Sequence, residues 1–210
     1  MRKKEKVLEI IKRLKEEYPD SGCSLIYDEN WKLLVSVRLA AQCTDERVNV
    51  ITAELFEKYP TMEALAYASQ DEIFEIVKPC GLGKSKAKDI KECMKMLVEV
   101  YNGNIPDNMT DLLKLPGVGR KSANLILGDV FGKDAIVTDT HCIRLSNRLG
   151  LTEETEPFKV EKSLLKIVPK EEGNMLCHRF VDHGRKVCSA RTKPFCDRCV
   201  LSDICPKRGV

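Results

Sequence analysis

An all-α fold is what this sequence predicts, on three observations. Apolar residues recur at helical spacing along almost every segment, capping residues precede those segments, and strand-like alternation is weak throughout. The 210 residues suffice for one large domain or two small ones with a shared core. Hydrophobic residues make up 43% and charged residues 32%, an ordinary globular balance, with no low-complexity linker or tandem repeat to mark a boundary.

The elements follow in order. Val7, Ile10, Ile11 and Leu14 give the N-terminal segment one apolar face among charges, so its basic start reads as an amphipathic helix and not as a secretion signal, which needs an uninterrupted apolar run. Asn30 is expected to precede a helix through WKLLVSVRLAAQ, and Asp45 one through ERVNVITAELFEKYP that stops at Pro60. Ser69 and Glu72 have the spacing of a capping box before DEIFEIVK. Ser85 opens KAKDIKECMKMLVEVYNG, with Gly103 as the helix-ending glycine. Thr110 starts a short DLLKL, and RKSANLILGDVFG follows after a glycine turn. Asp139 caps THCIRLSNRLG, while Pro157 and Pro169 introduce FKVEKSLLKIV and EEGNMLCHRFVDHG. Nine or ten short helices result. No apolar stretch approaches the roughly 20 residues that span a bilayer, so a cytoplasmic protein with no membrane partner is expected.

Charge is unevenly placed. Arg185–Val210 holds seven Lys or Arg and two Asp, a net +5 that leaves −2 for the rest of a chain whose total is +3. A cation-rich end suits either nucleic-acid contact or plain solvation. The ten cysteines also divide. Cys23, Cys43, Cys80, Cys93, Cys142 and Cys177 are scattered, as free thiols are, and a disulfide scaffold does not fit a chain of this size without a signal peptide. Cys188, Cys196, Cys199 and Cys205 crowd into 18 residues. Four thiolates in one loop suit a tetrahedral Zn²⁺ or a [4Fe–4S] cluster, and the spacing alone leaves both open. Cys177, His178 and His183 read as core or helix-end residues near them.

The stretch LPGVGRKSAN, residues 115–124, joins two helical segments through Pro-Gly-Val-Gly. Gly117 and Gly119 are expected to take positive φ and leave backbone N–H groups uncovered at a helix start, a seat for phosphate. A helix-turn-helix reader of bases is the rival. It needs polar side chains along the second helix, whereas Ala123, Ile126, Leu127, Val130 and Phe131 form an apolar face here. Lys121 stands in the first turn of that helix, as a second phosphate contact or as a nucleophile. A nucleophilic amine must lose its proton; bringing a lysine from about 10.4 to roughly 7–8 costs about 4 kcal/mol. A helix N-terminus supplies about 0.3–1 kcal/mol, so most must come from desolvation in a partly enclosed cleft. Asp139, in VTDTH (137–141), is the candidate proton-handling group, with an ordinary N-cap as its plainer role.

These motifs together resemble the helix-hairpin-helix DNA glycosylases. LPGVGRKSAN carries the hairpin, Asp139 follows Lys121 by 18 residues in TDTH, and the cysteines cluster near the C-terminus. AAQCTD (40–45) and GLGKSKA (81–87) are similar to further segments of the same family, so the resemblance spans nearly the whole chain. It implies a two-lobed all-α fold. Residues 23–133 would form a six-helix barrel with the hairpin at about 111–131. Residues 1–22 plus 134–210 would form an iron–sulfur domain whose loop is 188–205, with DNA in the cleft between the lobes.

The implied activity is base excision repair, by a monomer, on double-stranded DNA carrying a damaged base or an abasic site. An oxidised pyrimidine is flipped out, Lys121 attacks C1′ to give a Schiff base, and β-elimination cuts the strand. The resemblance assigns Asp139 to assisting lysine deprotonation and stabilising the cationic sugar. It gives Gln42 the task of filling the vacated space and Leu82 that of wedging the opposite strand; by themselves these two read as a helix-end residue and a loop anchor. His141 and Asp45 are placed along the DNA site or in structural roles. The cofactor it implies is a [4Fe–4S] cluster on the four cysteines, although the first gap here has seven residues where six is usual. The cluster would pin a basic loop (Arg185, Lys186, Arg191, Lys193 and Arg198) against DNA, with salt-dependent affinity. Lysine at position 121, in a chain that closes five residues after Cys205, favours the lyase-competent branch over base-only and adenine-specific relatives. Two alternatives stand: a monofunctional mismatch glycosylase on the same fold, and a non-catalytic zinc-containing DNA-binding module.

Overall fold

The computed structural model describes residues 2–210, which form eleven α-helices and three 3-10 turns, with no strand among those residues. In chain order the helices are α1 (Lys3–Glu17), α2 (Asn30–Leu39), α3 (Asp45–Lys58), α4 (Met62–Ala66), α5 (Gln70–Val77), α6 (Gly83–Tyr101), α7 (Met109–Leu112), α8 (Arg120–Asp129), α9 (Thr140–Arg148), α10 (Pro157–Leu165) and α11 (Gly173–Lys186). The chain divides into two compact units, Ser24–Val130 and Met1–Cys23 with Phe131–Val210.

In Ser24–Val130 the long helix α6 is the organising element. Ala87, Ile90, Met94 and Leu97 recur at three- and four-residue steps and are buried, which gives α4, α5 and α2 a continuous apolar stripe to pack on. The helix ends where Asn102 and Gly103 take left-handed φ of 52° and 75° and return their N–H groups to the Leu97 carbonyl. Trp31 on α2 meets Phe56 on α3 edge to face, with centroids 5.4 Å apart. The pair α7 and α8 forms the hairpin, and α8 also packs on α2.

Several caps differ from the sequence expectation, because a neighbour claimed the side chain or a better-placed acceptor lay one or two residues upstream. Asn30 is the first residue of α2 and Glu29 precedes it; the helix stops at Leu39, short of the AAQ segment, because Gln42 turns to a φ of 58°. Thr44, not Asp45, caps α3 by accepting the Arg47 N–H at 3.4 Å. Asn108, not Thr110, caps α7 by accepting the Asp111 N–H at 2.9 Å. Ser69 precedes α5 without capping it through its side chain, and Glu72 instead accepts the Tyr59 hydroxyl at 2.9 Å. Ser85 lies inside the first turn of α6, which opens at Gly83. Helix α4 was not anticipated, since its five residues are too few to show a period.

In the other unit, Val7, Ile10 and Leu14 of α1 are fully buried, α1 packs on α11, and α11 packs on α9 around the buried Phe180. Arg13 donates to Asp203 at 2.5 Å and to the Val200 carbonyl at 2.9 Å, which fastens α1 to the C-terminal loop. Pro157 starts α10 where its missing N–H costs nothing.

Candidate active site and four-cysteine pocket

The turn before α8 closes when the Val118 N–H donates to the Leu115 carbonyl at 3.1 Å. Gly117 takes a φ of 75°, and a Cβ there would stand 2.7 Å from Cδ of Arg38 and 2.9 Å from Cβ of Asp89. Those two residues, from α2 and α6, form an ion pair of 2.6 Å directly beneath the turn. Gly119 differs from expectation. Its backbone is extended (φ −93°, ψ 175°), and a Cβ would meet nothing within 4 Å. Its bareness therefore leaves open space beside the helix start instead of relieving strain. Gly117→Ala is expected to cost about 2–4 kcal/mol in urea denaturation, from the left-handed backbone and the collision. Gly119→Ala should stay within about 0.5 kcal/mol of wild type yet weaken duplex binding in a fluorescence anisotropy titration.

On α8, Ala123, Ile126 and Leu127 are buried as the apolar pattern requires, while Val130 and Phe131 lie beyond the helix and are half-buried. Asn124 joins the buried face at 3% exposure, with no partner for its Nδ2. A polar side chain between Ala123 and Ile126 was the sequence signal for it. Lys121 is exposed and makes no hydrogen bond or ion pair among the described residues. The enclosure that the sequence argument asks for is thus absent around this amine in the protein alone.

Gln42 and Leu82 share an unusual property. Both are non-glycine residues of left-handed φ (58° and 52°), and both are exposed, Leu82 at 54%. A loop anchor in the core would be buried, so the plainer reading of Leu82 is corrected. Asp45 is half-buried and accepts the Ser24 hydroxyl at 2.6 Å.

In the other unit, Asp139 precedes α9 and its Oδ1 accepts the Cys142 N–H at 2.7 Å. The cap role is therefore real, and Oδ2 makes no hydrogen bond among the described residues. Nδ1 of His141 accepts from Nη2 of Arg144 at 3.1 Å, which leaves the ring proton on Nε2. Gly184 on α11 lies so close that a Cβ would collide with both side chains. Arg144 also donates to the Cys188 carbonyl at 3.1 Å, so this cluster joins α9 and α11 to the start of the cysteine loop.

Cys188, Cys196, Cys199 and Cys205 line one pocket of about 410 Å³, its open mouth included, together with Leu145 and Leu201. Three of the sulfurs already receive donors: Nη1 of Arg148 to Cys188 at 3.2 Å, Leu201 N–H to Cys199 at 3.4 Å and Lys207 N–H to Cys205 at 3.3 Å. Donors aimed at sulfur fit thiolates that ligate a group, because thiolates accept where thiols do so weakly. No three His, Cys, Asp or Glu side chains among the described residues are grouped as a single-ion site. His183, read from sequence as core or helix end, is 2% exposed in the last turn of α11 and also lines this pocket. Its Nδ1 shares a hydrogen bond of 3.0 Å with the Tyr18 hydroxyl, and its Nε2 lies 3.3 Å from the Cys199 sulfur. Burial pushes its pKa down to about 4. Cys142 and Cys177 face each other at 4.0 Å away from this group, and no disulfide joins any cysteines among the described residues.

Within the basic loop, Arg198 stacks on Phe195 at 4.2 Å and donates to the Lys186 carbonyl at 3.0 Å. Arg191 and Lys193 are exposed without side-chain partners among the described residues.

Residues 35–170 match the HhH-GPD superfamily of base excision DNA repair proteins. Endonuclease III of Synechocystis sp. is 46% identical over 205 residues, which cover 97% of this chain and 93% of that protein. Two solved structures, a non-covalent endonuclease III–DNA complex and a trapped endonuclease III–DNA covalent intermediate, each superpose with a TM-score of 0.91 at 38% identity, over 99% of this chain and 97% of theirs.

Proposed function

Because this chain belongs to the HhH-GPD superfamily of base excision DNA repair proteins, we propose that it is a bifunctional DNA glycosylase and apurinic/apyrimidinic lyase acting on oxidised pyrimidines in duplex DNA. The observation that carries the reading is Lys121. It is an amine with no hydrogen-bond or ion-pair partner among the described residues, in the first turn of α8 beside the bare Gly119, in a chain that superposes over 99% of its length on a trapped covalent DNA intermediate.

The chemistry follows from the residue types. Nζ of Lys121 donates its lone pair to C1′ of a flipped-out nucleotide, and the bond from C1′ to the base breaks with its electrons leaving on the base, which takes up a proton. Ring opening gives an imine with the lysine. Loss of a C2′ proton then expels the 3′ phosphate, and hydrolysis frees the amine. Bound DNA would supply the enclosure that the exposed Lys121 lacks, by seating the flipped-out nucleotide against it and excluding water. Asp139 offers Oδ2 to the proton transfers while Oδ1 holds the helix start. Gln42 and Leu82 are suited to fill and wedge the opened duplex, since both project from tight left-handed turns into solvent. Gly117 and Gly119 shape the phosphate seat, and His141 and Asp45 act mainly as supports.

The four cysteines are proposed to hold a [4Fe–4S] cluster, in preference to zinc. Their sharing of one pocket and the donors on three of their sulfurs support a bound group, and the family resemblance favours the cluster. When bound, the cluster supplies a cross-link that holds the 188–205 loop, and Arg191 and Lys193 on that loop are free to meet phosphates. Protein purified anaerobically is expected to carry iron and sulfide in equal amounts, and Cys199→Ser to lose both along with duplex affinity. Zinc without iron would overturn the assignment. No helix among the described residues is long and apolar enough to cross a membrane, and the proposed setting is the DNA-containing compartment.

The experiment that tests the function is borohydride reduction in the presence of duplex DNA with an abasic site, followed by a panel of damaged bases. Covalent capture and excision of oxidised pyrimidines are expected. Excision of mismatched bases without capture or strand cleavage would instead identify the monofunctional alternative.

A further inference from the structure

Lys86 is a charged side chain with no exposed surface, in the first turn of α6. Its Nζ donates to three backbone carbonyls, Leu39 at 2.8 Å, Ala41 at 2.7 Å and Cys80 at 2.7 Å. Three acceptors consume three protons, and only the ammonium form carries three. Burial pulls its pKa below the ordinary lysine value, so the site is costly to build unless those carbonyls need holding. Their positions say what is held. Leu39 ends α2, Ala41 directly precedes Gln42, and Cys80 ends the short turn before Gly81 and Leu82. The backbone of Lys86 also donates its N–H to the Leu82 carbonyl at 3.0 Å.

One further tie joins the same segments. Arg47 donates to the Pro79 carbonyl at 3.3 Å. Among the described residues four non-glycine positions have positive φ, and two of them, Gln42 and Leu82, flank this one ammonium group. Such conformations persist only where the surroundings over-determine them.

We infer that Lys86 is a positioning residue, an ammonium clamp that fixes the Gln42 and Leu82 turns as one rigid pair so that both enter opened DNA together. The inference rests on the proposed reading of those two residues as plug and wedge. Its consequence is selective: the clamp matters when a duplex must be opened and is idle when no partner strand exists.

Two single-turnover rates test it, base excision from duplex DNA carrying an oxidised pyrimidine and cleavage of a single-stranded oligonucleotide with an abasic site. Lys86→Met keeps the stem and removes all three donors. It is expected to lower the duplex rate at least about tenfold and leave the single-strand rate within about twofold. Equal losses in both rates, or none in either, overturn the clamp. Leu82→Ala and Gln42→Ala are measured beside it. Unchanged duplex rates in those two would refute the plug-and-wedge reading itself, whereas their loss with a normal Lys86→Met refutes only the clamp.

Amide hydrogen exchange supplies a second readout that a general loss of stability would not reproduce. Faster exchange confined to residues 40–43 and 80–83 is expected, and uniform acceleration across Ser24–Val130 counts against it. If Lys86→Met does not fold, Lys86→Gln is measured in the same way. Failure of both to fold assigns Lys86 to general stability and overturns the proposal.

Discussion

Lys121→Ala is expected to abolish covalent capture on abasic-site DNA and to slow strand cleavage by on the order of 10³-fold or more, because no other group replaces a lost nucleophile. The same variant should unfold within about 0.5 kcal/mol of wild type, since the side chain is exposed and makes no hydrogen bond or ion pair among the described residues. Lys121→Arg separates the two roles weighed for this cation. A guanidinium stays protonated at every working pH and keeps its attraction for phosphate, so duplex affinity should survive while capture disappears. A residue that only grips phosphate would behave oppositely, with capture persisting in both variants. Near wild-type capture by Lys121→Ala would end the mechanism proposed above.

Asp139 has the second large effect, and the structure shows how to divide it. Its Oδ1 holds the start of α9 through the Cys142 N–H, and an asparagine oxygen can accept that bond equally well. Asp139→Asn should therefore melt with wild type while its excision rate falls roughly 10²–10⁴-fold, the span typical of a lost acid–base group. Asp139→Ala removes the cap as well and should lose about 1 kcal/mol of stability in addition. If Asp139→Asn retains full activity in single-turnover excision, the carboxylate serves the helix alone.

The legible parts of this molecule are those written in short-range chemistry. The apolar period of α6 names its buried face, and Asp139 caps α9 where an acceptor before an apolar helix belongs. A proline–glycine turn followed by cations marks the start of α8, and four crowded cysteines share one pocket. Less legible were caps with competitors nearby. Glu72 has the spacing of a capping box, yet Tyr59 lies close enough in space to take its carboxylate. Lys86 carried a weak signal, a charge four residues before Ile90 and eight before Met94 on the apolar face of α6, but nothing nearby in sequence indicates which atoms receive it.

By itself the sequence determined the helical class, the hairpin, the cation at the start of its second helix and the crowded cysteine set, since each depends on side chains a few residues apart. Only the tertiary structure decided why Gly117 has no room for a methyl group, why Gln42 and Leu82 tolerate left-handed backbone, and what a buried ammonium holds. Arg38 and Asp89 come from helices 51 residues apart in sequence, and the carbonyls of Leu39 and Ala41 reach Lys86 across 47 and 45. Contacts of that span follow from how helices pack, and a local pattern carries no record of packing partners.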